Sequence, residues 1–171
     1  MTTQKVFGIV GWKNSGKTTL VEKLVREMTA RGLCVSTVKH AHHAFDIDAP
    51  GKDSHRHREA GAHEVIVASG QRWALMCELR AVTEPSLDEL ISRLAACDLV
   101  LVEGFKRGGH PKIEVARFTR EEGLIADQDN SVLAVATDNA ALSGRHRSLS
   151  LNDPVEIAAF ICSHLDLRWK V

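Results

Sequence analysis

Apolar positions along the chain switch repeatedly between a strand-like and a helix-like rhythm. Residues 5–10, Lys5-Val6-Phe7-Gly8-Ile9-Val10, form a short and nearly continuous apolar run, as expected of a parallel strand covered on both faces. From residue 19 to 31 the period changes. Leu20, Leu24 and Met28 recur at helical spacing with Val21 and Val25 beside them, so one helical face is apolar, and Gly32 follows as a stop. Residues 33–39 read as a second strand. Residues 63–69 and 72–79 read as two strands around Gly70-Gln71, a hairpin signal. Ser86, with Glu89 at the capping-box position, predicts a helix over 87–97, which feeds an apolar strand at 98–104. Residues 113–118 alternate as a further strand, 127–130 form a turn, and 132–136 are another buried strand. Asp153 as N-cap and Pro154 at the first helical position open a last helix through Leu165. Strands alternating with helices predict an α/β protein with a mostly parallel sheet, helices on both faces and a β-hairpin extension.

Between the first strand and the first helix lies Gly11-Trp12-Lys13-Asn14-Ser15-Gly16-Lys17-Thr18, which satisfies the phosphate-loop pattern G-x-x-x-x-G-K-[ST] in the required strand-loop-helix context. Each residue type has a physical task. Gly11 and Gly16 allow backbone conformations and close approaches that a Cβ would obstruct. The loop N–H groups, together with the positive end of the following helix, converge on phosphate oxygens. Lys17 is placed to reach the β and γ phosphates, and the Thr18 hydroxyl is placed as a Mg²⁺ ligand. Lys13, Asn14, Ser15 and Thr19 complete the candidate cradle. The predicted class is therefore a P-loop NTPase fold.

The strand at 98–104 ends in Glu103-Gly104, the Walker B arrangement in which an acid at a strand end holds the Mg²⁺ or its water shell. Thr18, Glu103 and Asp53 are the candidate metal ligands. Asp138, just after the strand at 132–136, is the candidate base reader, because a carboxylate can accept hydrogen bonds from both guanine N1–H and N2–H, groups that adenine lacks. The fuller Asn-Lys-x-Asp pattern is absent.

Residues 40–54 form a polar, histidine-rich loop at the carboxyl end of a strand, the edge at which open α/β sheets bind ligands. His40, His42, His43, Lys52 and Ser54 are its candidates for a second ligand or a partner. No cysteine or carboxylate there stands at a familiar zinc spacing. Asp53 or Ser54 is expected to cap a short helix stopping at Gly61, on which Arg56 and Arg58 face different ways. Lys106, Arg107 and Lys112 are either phosphate contacts or solvated charge.

Composition changes this picture little. The chain has 171 residues, with 22 Lys plus Arg against 22 Asp plus Glu, so its zero formal charge suggests neither a nucleic-acid nor a membrane footprint. That length and the absence of a linker predict a single domain over 1–171. No apolar stretch approaches a membrane span and no signal-peptide region precedes the first strand, so the expected location is cytoplasmic. Cys34, Cys77, Cys97 and Cys162 are widely spaced and predict buried free thiols.

Beyond the phosphate loop, several blocks are distinctive. Lys39-His40-x-His42-His43, Pro50-Gly51-Lys52-Asp53-Ser54, Ala60-Gly61-Ala62, Gln71-Arg72-Trp73-Ala74 and Leu101-Val102-Glu103-Gly104-Phe105-Lys106 together resemble the molybdopterin-guanine dinucleotide biosynthesis protein B family. That resemblance implies a homodimeric GTP-binding adaptor using Mg²⁺. It would assist the separate transferase that attaches GMP to molybdopterin, and its own activity would be at most a slow GTP hydrolysis. Molybdopterin itself is a further implied ligand. The alternative on the same fold is a small-molecule kinase, with Asp53 or Glu103 as base and Arg56, Arg58 or Arg107 stabilising transferred charge. A related branch of P-loop dimers carries a lysine immediately after the first loop position. Here that position is Trp12, so Lys13 is not assigned a role across a dimer interface. Residues 65–79 and 113–118 are apolar strands outside the basic alternation and are expected to build the dimer contact.

Overall fold

The computed structural model describes residues 4–41, 45–118, 123–142 and 144–169. Eight strands and four α-helices follow in chain order: β1 (Lys5–Val10), α1 (Lys17–Ala30), β2 (Val35–Lys39), α2 (Asp53–Glu59), β3 (Glu64–Ala68), β4 (Trp73–Cys77), α3 (Leu87–Ser92), β5 (Leu99–Glu103), β6 (Lys112–Val115), β7 (Val132–Thr137), β8 (Ser148–Ser150) and α4 (Pro154–His164). Contacts divide the chain into two compact units, one formed by residues 1–40 with 87–171 and the other by residues 41–86. Each is described by itself.

The larger unit is built on a six-stranded sheet in the order β2-β5-β1-β6-β7-β8, parallel at every pairing. All five residues of β5 are buried, as a strand covered on both faces requires. On one face Phe7, Ile9, Leu99, Leu101 and Ile113 pack against Leu20, Leu24 and Met28 of α1 and Ile157 and Ile161 of α4. The opposite face carries Val10, Val135 and Ala116, packed with Ala126 and Leu142 from two short 3-10 turns. Every strand therefore delivers its carboxyl end to one sheet edge, where the loops after β1, β5, β6 and β7 gather.

Several sequence expectations change. Residues 113–118 do not make a separate, dimer-forming strand: the observed β6 lies inside the sheet between β1 and β7, is buried at all four positions and has no free edge to offer. Lys112 is neither a phosphate contact nor solvated charge. It is 0% exposed, and its ammonium donates to Asp129 Oδ2 at 2.9 Å, to Ser131 Oγ and to the Gly108 carbonyl. Burial pushes the Asp129 carboxyl up, but Ser131 and Lys112 outweigh it and hold the group at about 2. Glu114, also 0% exposed, accepts the Ala126 N–H at 2.9 Å, and burial raises its carboxyl above the usual range. The helix expected over 87–97 ends at Ser92: Arg93 and Leu94 turn into tighter three-residue bonds, and Gln4 Nε2 donates to the Ala95 carbonyl beyond them. β8 carries only one apolar residue in three, too short a pattern to be read from the sequence. The thiols are free, but only Cys162 is buried; Cys34 and Cys77 are exposed because they lie at strand boundaries.

In the smaller unit β3 and β4 pair antiparallel around the expected two-residue turn, closed by Ser69 N–H to the Arg72 carbonyl at 2.9 Å. α2 packs on β3. Its N-cap is Lys52 without a side-chain cap bond, so Asp53 is the first helical residue rather than the cap, and Ser54 is not the cap either. Asp53 complements the helix dipole from there. Gly61, at φ +110, ends the turn after the helix in the left-handed region that favours glycine. Among the described residues no helix is long and apolar enough to cross a membrane.

Candidate functional site

The loop between β1 and α1 is shaped by backbone that few residues could adopt. Gly11 has φ +146, and a Cβ there would come within 2.5 Å of the Val115 carbonyl oxygen and 2.7 Å of Ser15 Oγ. Asn14 and Gly16 also have positive φ. Gly16 is the N-cap of α1 without any side-chain cap bond, and the first turn of the helix holds no acidic residue. The uncapped N–H groups and the positive end of the dipole therefore remain available for an anion. Ser15 Oγ is buried and, among the described residues, has no hydrogen-bond partner. An orphaned buried hydroxyl inside a cradle that a Cβ would fill is what a phosphate site provides.

Two of the three candidate metal ligands, Thr18 and Glu103, meet. Thr18 Oγ1 donates to Glu103 Oε1 at 2.7 Å, although 85 residues separate them in the chain. Parallel pairing explains it. Glu103 is in register with Ile9 of β1 on one side and Lys39 of β2 on the other, so it ends beside the start of the phosphate loop. Lys39, which the sequence did not single out for this site, places its ammonium 3.4 Å from Glu103 Oε1 and 3.5 Å from Thr18 Oγ1. A cation already stands by the two oxygens that would hold Mg²⁺, so their chemistry fits a hard cation. The Lys17 ammonium donates to the Trp12 carbonyl within its own loop at 2.7 Å.

A cavity of about 240 Å³ opens beside the loop, lined by Trp12, Ser15, Arg117, Leu124, Asp127 and His146 among others. Asp138 is exposed and does not line it; its Oδ2 lies 4.0 Å from Arg117 Nε. The same guanidinium stands 3.2 Å from where a Cβ on Gly16 would be, so Arg117 lies between the phosphate loop and the strand end that carries Asp138. Sequence reading missed Arg117, for it follows β6 without any motif. Asp127 in the cavity wall accepts from His146 at 2.8 Å and Arg145 at 3.3 Å; the His146 hydrogen bond is the main cause of its lowered pKa. Lys106 stacks on the Trp12 ring at 4.0 Å, and Trp12 Nε1 donates to the Gly123 carbonyl at 3.0 Å.

Of the histidine-loop candidates, His40 takes its place beside the site: its N–H donates to the Glu103 carbonyl at 2.9 Å and its ring packs on Phe105 at 4.8 Å. His42 and His43 lie outside the described residues. Lys52, Asp53 and Ser54 belong to the smaller unit, where Asp53 is exposed and stands 4.0 Å from Arg56. Arg58 is bound there by Glu78 at 2.8 Å and Asp46 at 2.9 Å, with Asp48 at 3.7 Å. That clasp occupies the guanidinium and separates its role from that of exposed Arg56.

A family model described as molybdopterin guanine dinucleotide synthesis protein B matches residues 6–138. A molybdopterin-guanine dinucleotide biosynthesis adapter protein of Haemophilus influenzae is 45% identical over 158 residues, covering 91% of this chain and 86% of that protein. The Escherichia coli protein of the same name is 42% identical, covering 91% and 90%. Among solved structures, Bacillus subtilis MobB superposes with a TM-score of 0.75 at 26% identity, covering 94% of this chain and 98% of that one. A MobB homologue from Bacillus stearothermophilus gives 0.68 at 31% identity, covering 95% and 99%.

Proposed function

The chain belongs to the molybdopterin guanine dinucleotide synthesis protein B family, and from that premise we propose that it holds GTP and Mg²⁺ as an adaptor for the nucleotidyltransferase that completes the dinucleotide. Its role is accessory to molybdenum cofactor biosynthesis, and hydrolysis of the bound nucleotide is at most slow. The observation that carries the reading is the Thr18–Glu103 hydrogen bond of 2.7 Å beneath an uncapped glycine cradle. Gly11, Lys13, Asn14, Ser15, Gly16, Lys17, Thr18 and Thr19 surround the phosphates in this reading, and Thr18 with Glu103 takes the metal. A Mg²⁺ ion held by Thr18 and Glu103 would supply neutralisation of phosphate charge. Lys39, beside Glu103 and Thr18, would add a positive charge next to that ion and the phosphates.

The kinase alternative has less support. Glu103 is engaged by Thr18 and Lys39, and Arg58 is held by three carboxylates. Asp53 as a third metal ligand remains a proposal that rests on the family resemblance. Asp138 is proposed to read guanine. The test is a titration of GTP and ATP, each with Mg²⁺, with and without the transferase, following binding and phosphate release. GTP is expected to bind about tenfold or more tightly than ATP, and Asp138→Ala to remove the difference, since one lost carboxylate hydrogen-bond pair amounts to about 1.5–3 kcal/mol. A preference that survives in Asp138→Ala moves base reading elsewhere, with Asp127 in the cavity wall as the next residue to change.

The homodimer is proposed to form through the β3–β4 hairpin. Its Ile66 and Trp73 are 65% and 67% exposed and share one face of the ribbon, more apolar surface than an isolated two-stranded sheet tolerates. Light scattering is expected to give a dimer for the wild type and a monomer for Ile66→Asp with Trp73→Asp. A wild-type monomer overturns this part of the reading.

A further inference from the structure

The hairpin carries a second chemical feature that the nucleotide reading does not use. At its base His63, Glu64 and Cys77 each offer one ligand atom, and the three atoms lie within 4.8 Å of one another. Among the described residues it is the one such grouping of three histidine, cysteine or acidic side chains. Strand register brings two of them together, and His63 joins them from just before the first residue of β3. Glu64 stands directly opposite Cys77. The Glu78 N–H donates to the His63 carbonyl at 2.9 Å, and the Ser69 N–H to the Arg72 carbonyl at 2.9 Å, so odd-numbered positions of β3 are the hydrogen-bonded ones. Glu64 and Cys77 therefore form a non-hydrogen-bonded pair, the kind whose side chains approach more closely.

The backbone beneath the group is held firmly. Arg80 donates to the carbonyls of Gly61 at 2.7 Å, Ala62 at 2.9 Å and Arg58 at 3.2 Å, pinning the turn that leads into His63. Arg58 in turn joins Asp46 to Glu78, the residue after Cys77. The three side chains above this frame are exposed in the single chain, at the open end of the ribbon and away from its turn, and Cys77 is a free thiol. They can therefore rotate by the small amount that separates their present spacing from the ~3.3–3.8 Å between ligands around a tetrahedral ion with bonds of 2.0–2.3 Å.

We propose that His63, Glu64 and Cys77 form a binding site for one divalent cation of the zinc type. The donor set decides the class. A thiolate and an imidazole favour borderline-soft ions over Mg²⁺ and Ca²⁺, and three protein ligands leave a fourth position for water. On binding, the Cys77 thiol gives its proton to solvent and the sulfur becomes the charged ligand. The site is separate in chemistry from the all-oxygen pair Thr18 and Glu103, so excess Mg²⁺ does not fill it.

The test is a Co²⁺ titration of the reduced, full-length protein in the presence of excess Mg²⁺ and GTP. The expected result is one Co²⁺ per chain, with thiolate-to-cobalt charge-transfer absorption that Zn²⁺ abolishes by displacement. Cys77→Ser is expected to eliminate that absorption and to weaken binding about tenfold or more; His63→Ala and Glu64→Gln each weaken it similarly while the absorption remains at saturation. All three changes are on exposed side chains, so far-ultraviolet circular dichroism and GTP affinity stay unchanged. Charge-transfer absorption that persists in Cys77→Ser, an affinity unaffected by His63→Ala or Glu64→Gln, or no Co²⁺ uptake by the wild type would each overturn the proposal.

Discussion

Lys17→Ala is expected to lower the affinity for Mg²⁺–GTP by a hundredfold or more, a loss of about 3 kcal/mol, while leaving thermal unfolding within a degree or two of wild type. The two outcomes separate because Lys17 contributes to the site and little to the core. α1 is held by Leu20, Leu24 and Met28, all buried against the sheet, and alanine is a better helix former than lysine. Deleting the ammonium removes the point charge that the loop itself directs at the β and γ phosphates, and the backbone cradle of residues 11–16 remains. Isothermal titration calorimetry with a parallel melting curve checks both halves. Undiminished affinity would mean that the triphosphate does not lie along this loop.

Lys112→Ala is expected to be the most destabilising single change to a charged residue, at about 3–5 kcal/mol. The side chain is fully enclosed, and its removal leaves Asp129, Ser131 and the Gly108 carbonyl facing a void. Lys112→Met keeps most of the volume but still strands the Asp129 carboxylate, so it should recover only part of the loss. Urea unfolding of the three proteins measures this. A cost below about 1 kcal/mol for Lys112→Ala would show that water or a neighbouring side chain satisfies those oxygens. The same residue illustrates how a charge can mislead in one dimension. In a basic, glycine-rich stretch Lys112 reads as a surface group, whereas pairing of β6 between β1 and β7 carries it indoors.

Local chemistry accounts for what could be read without coordinates. The glycine loop was legible because Gly11, Gly16, Lys17 and Thr18 act through backbone conformation and through neighbours a few residues away, which spacing records. The strands β1, β5 and β7 were legible because burial on both faces leaves an unbroken apolar run. Asp153 and Pro154 open α4 as capping rules require, with Asp153 accepting from the N–H groups of Val155 and Glu156. Where reading failed, the deciding force was tertiary. Asp53 could not be told from a cap by composition alone, and the helix after Ser86 stops at Ser92, beyond which Gln4, a residue more than eighty positions away, bonds the Ala95 carbonyl.

By itself the amino-acid sequence determined the class of fold, the phosphate loop, the acid at the end of the fifth strand and, through its distinctive blocks, the family. Those features are carried by residue type and short-range order. Only the tertiary structure decided that Lys39 joins Thr18 and Glu103, that Arg117 lies between Gly16 and Asp138, that Lys112 is interior, and that His63, Glu64 and Cys77 converge. The physical reason is common to all four. Each depends on which strands become neighbours and in what register, and pairing energy is spread along whole strands, so no single residue announces its partner across the sheet.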